Sequence, residues 1–155
     1  MPSPRRTLLI VLPAVVLVAA ACTSASPSPG GGGSDGTTVN VTLQEWSVLP
    51  EVSSAAAGEI TFHVTNDGPE DIHEFVIIET DMAAGDLPTD ETGSVDEEGE
   101  GREVVDEIED LEVGASQDLT VTLEAGSYVL LCNIYSEDEE ESHYAMGMYT
   151  GFTAE

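Results

Sequence analysis

The sequence predicts an all-β fold, an antiparallel sandwich or small barrel, because strand patterns recur along the chain and helical periodicity does not. Apolar residues alternate with polar ones from Val39 to Leu43, from Ile60 to Val64 and from Leu119 to Leu123, as in half-buried strands. Nearly continuous apolar runs from His73 to Ile78 and from Tyr128 to Cys132 are typical of central strands. Short strands at this spacing favour a sandwich or barrel.

The ends of these strands carry turn signals, at Asn66 to Pro69 and at Glu124 to Gly126. A last short strand is predicted from Met148 to Thr153. The exception is the stretch from Glu79 to Glu112, which is acidic and glycine-rich with few apolar residues, and which is interpreted as a solvated insertion. Within it, the residues around Val104 to Ile108 could form one helical turn or a short strand.

The N-terminal region predicts export. Residues 1–21 combine an arginine pair, Arg5 and Arg6, with an apolar run that is shorter than the roughly 20 residues of a membrane span. Residues 22–37 are rich in Ser, Pro and Gly and are predicted to be a flexible tether. Residues 38–155 form the predicted domain, with the acidic insertion at about 79–112.

Cys22 follows the apolar run directly, and the stretch Leu17 to Cys22 resembles the lipobox of bacterial lipoproteins. The resemblance implies acylation of Cys22 and anchoring to the outer face of the cell membrane by lipid. The alternative is an ordinary secretory signal, which would leave Cys22 free and the protein secreted or periplasmic.

The charge balance excludes several partners. Of three basic residues, two lie in the predicted signal, so Arg102 alone remains against 31 acidic residues. Phosphate binding needs Lys and Arg, which excludes nucleic acid. Electrostatic docking onto anionic lipid is excluded for the same reason, so membrane attachment would depend on acyl chains at Cys22.

The chain has two cysteines, Cys22 and Cys132. If Cys22 is acylated, the exported domain carries one free thiol in an oxidising compartment. Metal ligation would protect that thiol, and a buried, inert cysteine is the alternative.

The residues around Cys132 resemble a known family. Gly126-x-Tyr128 leads into Cys132-Asn133, a His143-Tyr-Ala-x-Gly-Met148 segment follows, and the chain ends in a Phe-Thr strand. This pattern is similar to that of the plastocyanin/azurin family of blue copper proteins, the cupredoxins, and the segment around His73 is similar to the family's earlier histidine strand. The resemblance implies a Greek-key β-sandwich and one type 1 copper ion held by His73, Cys132, His143 and Met148.

The residue types suit that metal. Thiolate and thioether favour Cu(I), and imidazole serves either oxidation state, so a site built from them needs little rearrangement when an electron moves. For the axial ligand, Met148 lies five residues after His143, a common family spacing, and Met146 is the alternative. His63 alternates outward with its neighbours and is predicted to be uninvolved, and Trp46 is interpreted as a packing residue.

The chain departs from the family at two points. Eleven positions separate Cys132 from His143, more than in relatives, and the acidic run Glu137 to Glu141 within that gap is expected to loop outward. Relatives often carry Asn after the first histidine, where this chain has Glu74. The backbone amide of Glu74 can still donate to the cysteine sulfur, but the side-chain support is expected to be lost.

The resemblance implies a monomeric electron carrier that exchanges electrons with redox proteins through the solvent-facing edge of His143. The acidic charge predicts a basic docking surface on the partner. The alternatives are a copper-handling lipoprotein that binds and delivers the metal, and a metal-free β-sandwich lipoprotein. An enzyme is not expected, because three histidines cannot build the clusters of multi-copper oxidases.

Overall fold

Two packed β-sheets make up the part of the chain that the computed structural model describes, residues 36–155. The predicted export signal, the acylation of Cys22 and nearly all of the tether lie outside those residues. The strands are β1 (Thr37–Gln44), β2 (Ser47–Pro50), β3 (Ser54–Ala55), β4 (Gly58–Asn66), β5 (His73–Glu79), β6 (Glu103–Leu111), β7 (Ser116–Leu123), β8 (Gly126–Leu131), β9 (Tyr135–Ser136), β10 (Glu141–Ser142) and β11 (Tyr149–Ala154). A single-turn helix, α1, spans His143–Met146.

The first sheet has the order β2-β1-β4-β7 and the second the order β3-β11-β8-β5-β6, while β9 and β10 form a separate hairpin. The predicted β-sandwich is confirmed. Most neighbours are antiparallel, but β1 pairs with β4 and β3 pairs with β11 in parallel. In each parallel pair the two strands are not consecutive in the chain, so the chain crosses to the other part of the fold before it returns.

The alternating stretches predicted as strands supply the core between the sheets. Val39, Val41 and Leu43 of β1 are at most 1% exposed, and Ile60 and Phe62 of β4 are fully buried. Their polar neighbours in sequence face outward, as the two-residue side-chain period of a strand dictates. Each fully buried side chain of this size contributes roughly 1.5–3 kcal/mol through the removal of apolar surface from water.

The continuous apolar run of β5 is explained by burial on both faces. Phe75 and Ile77 point into the core between the sheets, and Val76 and Ile78 point the other way into a second apolar cluster. That cluster is covered by the segment predicted to be a solvated insertion. Its buried residues are Val76, Ile78, Leu87, Val95, Val129, Leu131 and Tyr144.

The prediction that residues 79–112 form a solvated insertion is therefore wrong where the segment packs on the sheet, because Leu87 and Val95 are 4% and 6% exposed. Around Val104 to Ile108 the sequence left a helical turn and a short strand open, and the structure has a strand. This strand, β6, is nine residues long and pairs with β5 at the edge of the five-stranded sheet. Acidic side chains such as those of β6 protect an edge strand from pairing with other chains.

The two central strands bring distant residues to one end of the sheet. In the antiparallel pair β5 and β8, Val76 lies opposite Leu131, so the first residue of β5, His73, and the residue that follows β8, Cys132, lie at the same end. Among residues 36–155, the structure has no helix long and apolar enough to span a membrane.

Candidate metal centre

Three potential ligand side chains converge at this end of the sandwich. The Nδ1 atoms of His73 and His143 are 3.2 Å apart, and the Sγ of Cys132 lies 3.3 Å from Nδ1 of His143 and 3.9 Å from Nδ1 of His73. His73 and Cys132 are fully buried and His143 is 2% exposed. His73 lies 59 positions before Cys132 and 70 before His143 in the chain, yet the fold brings their three donor atoms within 3.9 Å of one another.

The long gap between Cys132 and His143 is folded into the β9–β10 hairpin. The amide of His143 donates to the carbonyl of Ile134 at 2.9 Å, which closes the base of the hairpin. The acidic residues sit at its tip, as the expectation of an outward loop requires. Ser142 then caps α1 by accepting from the amide of Ala145, and this cap fixes the backbone that carries His143.

The backbone of Met148 is hydrogen-bonded to two of the three donor residues, and its side chain is buried, unlike that of Met146. Met148 is fully buried, its amide donates to the carbonyl of His143 at 3.0 Å, and its carbonyl accepts from the amide of Cys132 at 3.0 Å. Met146, on α1, is 44% exposed. Between the two methionines that the sequence left open, only Met148 is placed among the buried residues of the site.

Burial sets the protonation of the donors. It lowers the pKa of His73, with the neighbouring His143 acting in the same direction, and it lowers the pKa of His143. Both imidazoles are therefore neutral at pH 7 and present a lone pair. Burial also raises the pKa of the Cys132 thiol to about 12, so without a metal the sulfur keeps its proton.

The donor atoms fit a metal ion. A point equidistant from the three atoms lies about 2 Å from each, close to ordinary metal–imidazole and metal–thiolate bond lengths. Two histidines and one cysteine in such a triangle, with a buried methionine nearby, form the ligand set of a type 1 copper site. A cation there would also hold the thiol deprotonated in spite of its burial.

Glu74 supports the site through both its backbone and its side chain. Its amide donates to the Sγ of Cys132 at 3.4 Å, as expected from the sequence. Its carboxylate accepts from the amide of Asn133 at 2.6 Å, so the expectation that side-chain support is lost at this position was wrong. The Glu74 side chain is thus long enough to reach Asn133, two residues after the end of β8. Burial raises the pKa of Glu74 to about 7, and Glu97 nearby acts in the same direction.

The environment of His143 differs from the expectation of a solvent-facing ring. Its side chain is enclosed, and the half-buried ring of Trp46 lies edge-on to it with centroids 5.0 Å apart. Trp46 packs against the core, as predicted, and it also contacts the His143 ring, which is 2% exposed. The His143 edge is therefore not the exposed part of the site.

The segment before β6 braces the loop that carries His143. The Tyr144 hydroxyl donates to the carbonyl of Ala84 at 2.7 Å and accepts from the amide of Leu87 at 3.1 Å. The Ser142 hydroxyl donates to the carbonyl of Gly93 at 2.8 Å. The sequence gave no signal for these contacts, because each joins residues that are 49 or more positions apart.

The carboxylate of Glu45 and a groove complete the surroundings of the site. Glu45 approaches His73, and its pKa is lowered because hydrogen bonds from the amides of Asp71 and Glu70 outweigh the effect of burial. A groove of about 330 Å³ opens on this side of the site. Its lining residues are Glu45, Trp46, Pro69, Glu70, Asp71, Glu139 and Glu141.

One residue considered in the sequence, His63, lies away from the site. His63 is half exposed on β4 and pairs with Asp118 of β7. This position agrees with the prediction that His63 takes no part in the metal site. Sequence reasoning missed Glu45, which reaches His73 only through a tertiary contact, and it missed the hydrogen bonds that join Tyr144 to the insertion.

No family model matches the chain, and no curated protein matches it. Solved structures do. The dithionite-reduced auracyanin of Roseiflexus castenholzii superposes with a TM-score of 0.54 at 21% identity, covering 77% of this chain and 97% of that one. The domain has the cupredoxin fold. Auracyanin B gives a TM-score of 0.52 at 17% identity over 77% and 88% of the two chains. Auracyanin A of Chloroflexus aurantiacus gives 0.51 at 15% identity over 77% and 98%. The cupredoxin resemblance seen in the sequence is thus confirmed for the fold.

Proposed function

We propose that this protein binds one copper ion through His73, Cys132 and His143, with Met148 as the axial ligand, and that it carries electrons between redox proteins. The observation that carries the proposal is the convergence of two imidazole Nδ1 atoms and one thiol on a single buried point. Auracyanin A, which shares the cupredoxin fold, is described as a "blue" copper protein, which supports the same metal here.

The residues of the chain have defined parts in this function. Copper supplies the one-electron chemistry when it is bound. Cys132, held at the end of β8, provides the thiolate, and the amide of Glu74 stabilises its negative charge. The loop that carries His143, here called the ligand loop, is held by the hydrogen bonds of Tyr144 and Ser142. It would keep the donors in place in either oxidation state, so the site would rearrange little when an electron moves.

The acidic groove supports a cationic docking partner. It lies over Trp46, which touches His143, and the acidic residues of its rim include Glu70, Asp71 and Glu139. A redox protein with a basic surface would be steered to this face, and the association rate would fall as ionic strength rises. In this arrangement Trp46, rather than the exposed edge of His143 that the sequence predicts, lies between the docked partner and the ligand His143.

A second candidate function is copper delivery without an electron-carrier role. The acidic tip of the β9–β10 hairpin, next to the ligand loop, raises the local concentration of cations and favours this alternative. Voltammetry and metal transfer separate the two functions. A carrier cycles reversibly and keeps its copper in the presence of an acceptor chelator, whereas a delivery protein loses its copper to the chelator faster than it cycles.

Export and anchoring by acyl chains on Cys22 remain part of the proposal, with secretion or a periplasmic location as the alternative. Labelling of cells with a fatty acid analogue tests them, because the wild-type chain should incorporate label and Cys22→Ala should not. Equal labelling of the two chains would contradict acylation at Cys22.

A further inference from the structure

The two ring nitrogens of His73 face different neighbours. Its Nδ1 faces the other donors, 3.2 Å from Nδ1 of His143, and its Nε2 faces Glu45, 3.7 Å from the Oε1 atom. Within residues 36–155, Nε2 of His73 and Oε2 of Glu45 are both buried and both lack a hydrogen-bond partner. A ring nitrogen of His73 and one carboxylate oxygen of Glu45, each buried and without a hydrogen-bond partner, therefore belong to side chains that face each other.

Glu45 is held in this position by the backbone. Its Oε1 accepts from the amide of Asp71 at 2.9 Å and from that of Glu70 at 3.1 Å, and its side chain is 11% exposed. The carboxylate thus ties the end of β1 to the loop that precedes β5, the strand that His73 begins. A hydrogen bond to Nε2 needs about 3 Å between the heavy atoms, so a small side-chain rotation pairs both orphaned groups.

We propose that Glu45 is a positioning residue of the metal centre: its carboxylate holds His73 as the tautomer protonated on Nε2, leaves Nδ1 free for copper, and lowers the reduction potential of the bound ion. This inference rests on the proposed function. Carboxylates placed behind metal-bound histidines have this orienting effect and increase the basicity of the ring.

The charge of Glu45 acts on the two oxidation states unequally. A fixed negative charge near the ligand stabilises Cu(II) more than Cu(I), because the interaction scales with the charge of the ion. Loss of that charge is expected to change the Cu(II)/Cu(I) affinity ratio about tenfold, which is about 59 mV for a one-electron couple.

Glu45→Gln tests the inference, with Glu70→Gln as the matched control. Glutamine keeps one oxygen for the two backbone amides, and it removes both the charge and the second acceptor oxygen. Glu70 lines the same groove but is exposed, so its variant removes an equal charge that does not face His73. Two properties are measured: the reduction potential of the copper-loaded proteins, and the Nε2–H proton resonance of His73 in ¹⁵N-labelled metal-free proteins.

The expected result is a higher potential in Glu45→Gln than in wild type, with a clearly smaller shift in Glu70→Gln. In the metal-free wild type, the Nε2–H resonance should lie downfield, as in a charge-assisted hydrogen bond, and should move upfield only in Glu45→Gln. Equal potential shifts in the two variants, or His73 protonated on Nδ1, would overturn the inference. If wild type takes up no copper, the proposed function fails, and the resonance of the metal-free protein still decides whether Glu45 holds the ring.

Discussion

The carboxylate of Glu74 accepts a hydrogen bond from the amide of Asn133 at 2.6 Å, while its own amide donates to the Sγ of Cys132 at 3.4 Å. One residue therefore joins the start of β5 to the end of β8, the two strand ends that carry His73 and Cys132. The carboxylate is half-buried near Glu97, Glu107 and Glu109, and burial raises its pKa to about 7. This bond is the cross-strand support that holds the cysteine end of the site.

The raised pKa of Glu74 predicts that the metal-free protein loses stability as the pH rises from about 4.5 to about 7. In that window the folded state keeps a proton that the unfolded chain has released, so stability falls by at most about 1.4 kcal/mol per pH unit from this group. Glu74→Gln should flatten this fall, because glutamine keeps the acceptor oxygen and does not titrate. Urea unfolding of the metal-free protein at several pH values measures the effect.

The control for this prediction is Glu59→Gln, which removes an exposed charge from β4 in the other sheet. Its pH dependence should follow that of wild type. Parallel pH curves for Glu74→Gln and wild type would show that the Glu74 carboxylate is not the group that keeps a proton in the folded state.

Met148 and Met146 give a matched pair of substitutions. Met148→Leu should keep copper bound but change the visible spectrum and raise the reduction potential, because the loss of the axial donor leaves a lower coordination number, which Cu(I) tolerates better than Cu(II). Its cost in stability should stay below about 1.5 kcal/mol, since the exchange nearly conserves volume in the core. Met146→Leu, at a position 44% exposed, should leave spectrum and potential unchanged. A spectrum altered by Met146→Leu alone would assign the axial position to Met146.

Tyr144 tests the brace between the insertion and the ligand loop. Tyr144→Phe leaves the buried amide of Leu87 and the carbonyl of Ala84 without their partner, which should cost about 1–3 kcal/mol in the free energy of unfolding. Copper release to a chelator should also accelerate, because His143 precedes Tyr144 directly.

Tyr128→Phe is the comparison for that experiment. Its hydroxyl donates to the carbonyl of Glu124 at 2.9 Å, near the turn between β7 and β8 and away from the ligands. This variant should lose stability without faster copper release. If the two variants release copper equally fast, the contact with the insertion does not restrain the ligand loop.

The fold was largely predictable because its core strands follow simple patterns. The alternation of Val39, Val41 and Leu43 in β1, and the apolar runs of β5 and β8, correspond directly to burial on one face or on both. The candidate ligands were predictable because Cys132, followed by a histidine and a methionine, resembles the cupredoxin pattern, which implies the ligand set. Whether they bind copper stays a prediction.

The remaining features depend on tertiary contacts that local patterns do not encode. Strand β6 carries mostly acidic residues and lies at the sheet edge, so its sequence left both a helical turn and a short strand possible. Leu87 and Val95 are isolated apolar residues whose burial requires the sheet beneath them. The enclosure of His143 by Trp46 joins residues from opposite ends of the domain and carries no periodic signal.

The measurement that tests the account most directly is a copper titration of the purified domain, followed by metal analysis and visible absorption, for wild type, Cys132→Ser and His63→Asn. His63 is the control because it lies outside the site on β4. Wild type and His63→Asn should each bind one copper and show an intense thiolate-to-copper band, and Cys132→Ser should lack the band. A wild-type protein that stays colourless with copper present, or a band that survives in Cys132→Ser, would contradict the account.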